Sequence, residues 1–307
     1  PSDPFIQPNS SSTSFILVGV PSLESFSPLL GVFFCFAYVV ALLGNGVVLL
    51  VLGLDTSLRA PSHLFLAMMA AVDVVMVTSV VPKMLGTLWM ESPGISPAAC
   101  FLQMFLVHSA TSGESGVLLA MALDRYVAIC HPLRYRIILC PRAVAQIALA
   151  IVLRALLFIT PLMAMVTKLP YCASRLIPHS YCEHEAVAEL ACADPGPSGL
   201  YSAASSSLIV GMDVAFIAAS YGVILHAALR KDRCRRALST CGCHVGVMLL
   251  YYGPGMVSIW AQRAGGRVSA GARVLLADLY LILPAMLNPF VYSARSEQIR
   301  RAVLRTL

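Results

Sequence analysis

Apolar residues gather along this chain into seven long blocks, residues 29–54, 62–88, 97–129, 143–166, 200–229, 237–261 and 273–292, separated by shorter polar stretches. A helix needs ~20 mostly apolar residues to cross about 30 Å of hydrocarbon, and every block reaches that length. Strands of a membrane barrel read instead as ~10-residue segments that alternate with period two, and these blocks do not alternate. The pattern predicts an all-α membrane protein. It has an N-terminal tail over 1–28, a seven-transmembrane helix bundle over 29–293 and a short amphipathic C-terminal helix over 294–307. The tail is rich in Ser and Pro and lacks a basic stretch followed by an apolar one, so no cleavable leader is read in it; a few residues are expected to precede Pro1.

Composition narrows the class. Of 307 residues, 58% are hydrophobic and 12% charged, with a mean hydropathy of +0.80, whereas soluble chains carry about a quarter charged residues. One or two soluble cores cannot hide that much apolar surface, which excludes an ordinary cytosolic enzyme. A net charge of +6 would suit nucleic acid, but the basic residues stand in short clusters between the blocks, the pattern of a membrane surface. Lipid is the expected partner and nucleic acid is not.

The clusters also orient the chain. With the N-terminus outside, the inner loops and tail receive Arg59, Arg125, Arg134, Arg136, Arg142, Arg230, Lys231, Arg233, Arg235, Arg236, Arg295, Arg300, Arg301 and Arg305, fourteen of the twenty-one Lys and Arg. The other face takes the acidic stretch Glu183, Glu185, Glu189 and Asp194 and the sequon Asn9-Ser10-Ser11, which is glycosylated only in the secretory lumen. Cys100, Cys172, Cys182 and Cys192 share that oxidising side, and four cysteines allow three pairings. The other six cysteines read as reduced thiols or small hydrophobes. Cys182 and His184 lack the ligand spacing of a structural zinc site.

The inner end of the third block reads Met121-Ala122-Leu123-Asp124-Arg125-Tyr126-Val127-Ala128-Ile129-Cys130-His131-Pro132-Leu133-Arg134-Tyr135. Gly44-Asn45 lies in the first block, Asp73 in the second, Ser220-Tyr221 in the fifth, Ala237-Leu238-Ser239-Thr240-Cys241 opens the sixth, and Asn288-Pro289-Phe290-Val291-Tyr292 closes the seventh. In this order the set resembles the odorant receptors, a branch of the rhodopsin-like G-protein-coupled class, over nearly the whole chain. Tyr181-Cys182-Glu183-His184 and Ala191-Cys192-Ala193-Asp194 resemble the class I, fish-like branch. Two places depart from the usual family pattern: Pro61-Ser62-His63 before the second span and Cys241-Gly242-Cys243-His244 in the sixth. Both bear on coupling efficiency rather than on ligand recognition.

The resemblance implies a small-molecule odorant as ligand and a stimulatory, olfactory-type heterotrimeric G protein as partner, raising cAMP. It places the protein in the plasma membrane of olfactory cilia. It pairs Cys100 with Cys182 and Cys172 with Cys192. Asp124, Arg125, Tyr126, Tyr221, Tyr252, Asn288, Pro289 and Tyr292 take the positions of the activation switch, with Asp124 paired to Arg125 at rest. The ligand set it implies is His108, Ile159, Leu162, His184, Glu185, Ile259 and Arg263, with the Arg263 guanidinium holding the carboxylate of a short acid by a bidentate fork. Relatives that sense acids often carry Gln where Glu185 stands, so an acid is expected to compete with a Glu185–Arg263 contact here. A receptor for amines would want an Asp at Val107, which disfavours an amine ligand.

A central Asp or Arg costs about 2.5–3.5 kcal/mol on an insertion scale, against about 0.3–0.6 returned by a Leu, so a mid-span carboxylate suggests function. Asp73 and Glu114 are such groups. Two close carboxylates need a shared proton or a cation, and by resemblance the inner acidic positions hold a sodium ion; no other cofactor is expected. Glu114 and Arg125 stand eleven residues apart, three turns on one face and about 16 Å in depth. Other classes fit less well. Gly113-Glu114-Ser115-Gly116 and His184-Glu185-Ala186-Val187-Ala188 lack the spacing of a nucleophile elbow or a zinc-binding helix, so no enzyme is read. No internal repeat favours a transporter. A receptor for a non-odorant metabolite is the alternative function, with a transporter more remote.

Overall fold

The computed structural model describes residues 14–55, 58–90, 92–172, 174–230, 234–263, 267–295 and 297–306. Each apolar block lies within one long helix: α1 Ser27–Leu54, α2 Pro61–Trp89, α3 Pro97–Cys130, α5 Pro141–Val166, α7 Gly196–Arg230, α8 Cys234–Arg263 and α9 Ala270–Arg295. Between them stand two short helices, α4 Tyr135–Ile138 and α6 His184–Ala188, and the chain ends in α10, Glu297–Thr306. Proline occupies the first turn of α1, α2, α3 and α5, where its missing N–H leaves no helical bond unmade. Ser96 also caps α3, its hydroxyl accepting from the Ala99 N–H at 3.3 Å.

By length and composition, five of the described helices suffice to cross a bilayer, and α3 taken with the bent segment after it makes a sixth. The remaining long helix, α8, is more polar and packs chiefly on α9. Pro82, Pro161, Pro254, Pro284 and Pro289 lie inside helices, which intramembrane helices tolerate because neighbouring groups re-satisfy the freed carbonyls. The core forms two stacked layers. One, around Phe34, Met76, Val80 and Ile282, fills the half nearer the N-terminus; the other, around Phe65, Met69, Leu118 and Val247, fills the half nearer Asp124. Between α1 and α9, Asn45 donates through Nδ2 to the carbonyls of Ala41 at 3.0 Å and Ala285 at 2.8 Å.

The tail is not all-polar coil. Its second half forms β1, Phe15–Leu17, the central strand of a three-stranded sheet, antiparallel to β2, Gly94–Ile95, and parallel to β3, Leu176–Ile177. Phe15, Leu17, Ile95 and Ile177 turn inward onto Cys100, Met104 and Leu162. This sheet closes one end of the helical bundle.

Candidate functional site

Beneath the sheet, two disulfides fix the long loop between α5 and α7: Cys100–Cys182 and Cys172–Cys192. Gln103, one turn after Cys100 on α3, locks the first. Its Oε1 accepts from the Cys182 N–H at 2.8 Å and its Nε2 donates to the Ser79 carbonyl at 2.7 Å. The loop then enters α6, where Glu183 is the cap and accepts from the Ala186 N–H at 2.8 Å. A helix that starts at this point turns His184 into the bundle. His184 is 1% exposed, lies edge-on to His108 with ring centroids 6.3 Å apart, and has both ring nitrogens buried without a hydrogen-bond partner. Burial pushes its imidazole below the ordinary histidine range, so it presents a neutral ring. Ile159 and Leu162 on α5 are buried beside Met104 and Val187, one turn from the two histidines. The structure thus gathers His108, His184, Ile159 and Leu162 at one end of the bundle.

The same loop is tied to α9. Ser180 donates to the buried carboxylate of Asp278, and His179 stacks edge-on against Tyr181 at 4.4 Å.

Midway along the bundle lie two polar groups. In the first, the Asp73 carboxylate accepts from Asn288 Nδ2 at 3.0 and 3.3 Å, with the buried Glu114 carboxyl beside it. The second was not expected from the sequence. Arg154 on α5 donates through Nη1 to both oxygens of Asp213 on α7, at 2.7 and 2.8 Å, and through Nη2 to the Ser112 carbonyl of α3 at 2.6 Å. Ser115 donates to Asp213 at 2.6 Å and stands 3.0 Å from the Tyr252 hydroxyl of α8. Four spans meet in one network. The rule that singled out Asp73 and Glu114 would also have found this pair, because Arg154 and Asp213 are opposite charges at similar depth in the fourth and fifth apolar blocks.

At the far end, Asp124 and Arg125 form an ion pair, and Asp124 also accepts from the Tyr135 hydroxyl of α4 at 2.6 Å. Burial first, and then the Asp124 carboxylate, hold the Tyr135 phenol protonated. Tyr126 reaches His131 at 3.3 Å. Tyr221 and Tyr252 pack against the core layer nearer Asp124, and Tyr292 is buried, its hydroxyl 3.6 Å from Met121 Sδ. Pro289 sits against Gly44, where a Cβ would lie 3.0 Å from its ring; that proximity explains a glycine at this crossing.

Residues 34–307 match the family profile described as olfactory receptor. The chain belongs to the olfactory receptor family. It is 52% identical to human olfactory receptor 52I2 over 94% of this chain and 84% of that protein, and 50% identical to human olfactory receptor 52I1 over 94% and 91%. Human olfactory receptor 51E2 shares 41% over 96% and 93%. These relatives place it in the class I branch. As an olfactory receptor it is a multi-pass membrane protein of the G-protein-coupled class with an odorant as ligand, and not an enzyme.

Two of the residues assigned to the receptor's ligand set by resemblance, Ile259 and Glu185, are exposed. Ile259 is 47% exposed on the side of α8 shared with Met256 and Trp260, while Ser258 and Ala261 are buried; a rotation of 100° per residue carries Ile259 off the inner face. Glu185 is exposed, because α6 turns His184, Val187 and Ala188 inward and leaves the position after His184 outside. Arg263 ends α8, and its side chain lies outside the described residues, as does Asn9.

Proposed function

We propose that this olfactory receptor binds a small oxygenated aliphatic molecule, with a carboxylic acid as the first candidate, between His108, His184, Ile159 and Leu162, and that it raises cAMP through a stimulatory, olfactory-type G protein. The observation that carries the reading is His184, a neutral ring with two buried and unpartnered nitrogens. One nitrogen donates and the other accepts, which matches a hydroxyl or an un-ionised carboxyl group, and the aliphatic walls suit a short tail. Arg263, at the end of α8, supplies the cation for an ionised acid. The disulfide-bearing end then faces the outside of the cell and the Asp124 end the cytoplasm, in agreement with the clustered basic residues and the Asn9 sequon, and the working site is the ciliary plasma membrane.

A cAMP assay on cells expressing the chain, using acids and their matched alcohols and aldehydes on one tail, tests this. Arg263→Ala is expected to weaken the acid response by roughly 10- to 150-fold, the loss of about 1.5–3 kcal/mol of charged hydrogen bonding. An acid response that survives it would remove Arg263 from the site, and silence to every acid would leave alcohols, aldehydes or ketones as the ligand class.

The facing carboxyls of Asp73 and Glu114 support a shared sodium ion or proton in the resting receptor, since two buried carboxylates side by side do not both stay ionised alone. Basal cAMP indifferent both to replacement of sodium and to Glu114→Gln would end this reading.

A further inference from the structure

A groove of about 410 Å³ runs along the outside of the bundle between α3, α5 and α7, in the half nearer Asp124. It opens toward the hydrocarbon of the bilayer, because α5 and α7 each pack closely on α3 but only loosely on one another. Its walls are Leu119, Leu123, Ile147, Ile151 and Phe216, and its deep end is Arg154. There the guanidinium passes over Gly116, where a Cβ would stand 2.7 Å from Nη2. Nη1 is spent on Asp213 and one N–H of Nη2 on the Ser112 carbonyl, while the second N–H of Nη2, on the atom beside Gly116, has no partner among the described residues. A polar N–H left without a partner inside hydrocarbon is costly, and the groove beside it has the size of a small-molecule site.

We infer that this groove is a second, membrane-facing ligand site for a neutral lipophile that carries one oxygen acceptor, an aliphatic alcohol or ketone. Asp213 already neutralises Arg154, so an ionised acid would bring an uncompensated charge into the bilayer and is excluded. A hydroxyl or carbonyl oxygen brings none and accepts from the guanidinium edge. The apolar walls take the chain, and entry is through lipid, where such molecules concentrate by partition. This site is separate from the residues gathered at His108 and His184 and draws on neither odorant response nor G-protein coupling.

The test is photolabelling of the full-length receptor in phosphatidylcholine nanodiscs with a decanol that carries an alkyl diazirine. Saturable labelling is expected on the segments 119–123, 147–154 and 216–220. Decanol should compete for it about tenfold better than decane, the worth of one hydrogen bond, and decanoate at neutral pH should compete no better than decane. Ala150→Phe fills the groove while both members of the ion pair remain, and it is expected to abolish the saturable label; Leu123→Phe on the opposite wall does the same and serves if the first variant is not folded. Labelling spread evenly over the lipid-facing helices, labelling unchanged in a folded groove-filling variant, or decane competing as well as decanol would each overturn the proposal.

Discussion

Arg154 and Asp213, 59 residues apart on the fourth and fifth spans, form a bidentate ion pair inside the bundle, with Nη1 2.7 and 2.8 Å from the two carboxylate oxygens. Their side chains are 18% and 2% exposed. Because the pair is also hydrogen-bonded to α3 through Ser112 and Ser115, removing one member leaves a charge stranded in hydrocarbon. Arg154→Leu or Asp213→Leu alone is expected to cost about 3–5 kcal/mol, read as lost surface expression and a lowered melting temperature of the purified receptor. The double variant is expected to recover most of it, since an apolar pair of similar volume strands no charge. If the double variant were as damaged as either single one, the pair would not be the source of the loss.

His184 is predicted to serve a ligand rather than the fold. A histidine that holds the structure together loses stability when its nitrogens are removed, but here the nitrogens have no partner to lose. His184→Phe keeps the edge-on contact with His108 and is expected to leave the melting temperature unchanged or raise it. The same change should weaken the potency of oxygenated ligands about 5- to 150-fold, corresponding to about 1–3 kcal/mol. A fall in stability with unchanged potency would reverse the assignment.

The spans were legible in the sequence because lipid imposes one requirement along ~20 consecutive residues, and that signal survives errors of a few positions at each end. The direction in which a side chain faces carries no such redundancy. Ile259 stands next to the buried Ser258, and nothing in the local sequence distinguishes the lipid face of α8 from its inner face when both are apolar. The strand Phe15–Leu17 is only three residues long, and its partners lie in two distant loops, so no periodicity could announce it. The Arg154–Asp213 pair had a readable signal in each partner separately, but their meeting depends on how α5 and α7 pack around α3. The disulfide pairing came from family resemblance alone, since four outer cysteines left three choices open.

Glu183 and the loop histidines give the loop between α5 and α7 opposite pH responses. Burial pushes the Glu183 carboxyl up to about 7; the N–H groups of Ala186 and Glu185 oppose this, and the charges of Glu185 and Glu189 add to it. A raised carboxyl stabilises the fold below its ordinary range and loses that contribution as pH rises through about 7. Burial holds His179 down at about 3 and lowers His184, so their contribution is present above the ordinary histidine range of about 6.5 and is lost as pH falls below it. Between about pH 4.5 and 6.5 the two contributions oppose one another, and above about 7 neither changes further. Glu183→Gln keeps an acceptor for the Ala186 N–H and removes the falling contribution, so the melting temperature of the purified variant is expected to rise more steeply from about pH 4.5 to 7 than that of the parent receptor. Equal slopes in the two would remove Glu183 from the pH response.

The Tyr135 hydroxyl is predicted to hold the resting switch. It donates to Asp124 at 2.6 Å, on the carboxylate that pairs with Arg125, and it sits on the short helix α4 that the chain enters immediately after the bend at Pro132. With the hydroxyl gone, Asp124 relies on Arg125 alone, and the arrangement that keeps Arg125 from a G protein is weakened relative to the active one. A hydrogen bond to a charged group is worth up to about 1.5–3 kcal/mol, and solvent at this half-buried position reduces it, so Tyr135→Phe is expected to raise basal cAMP by about fivefold or less at matched surface expression. Tyr171→Phe, which removes a hydroxyl bonded to the Val166 carbonyl at the other end of the bundle, is the matched control and should leave basal cAMP unchanged. Equal basal activity in Tyr135→Phe and the parent receptor would mean that the Asp124–Arg125 pair alone sets the resting state.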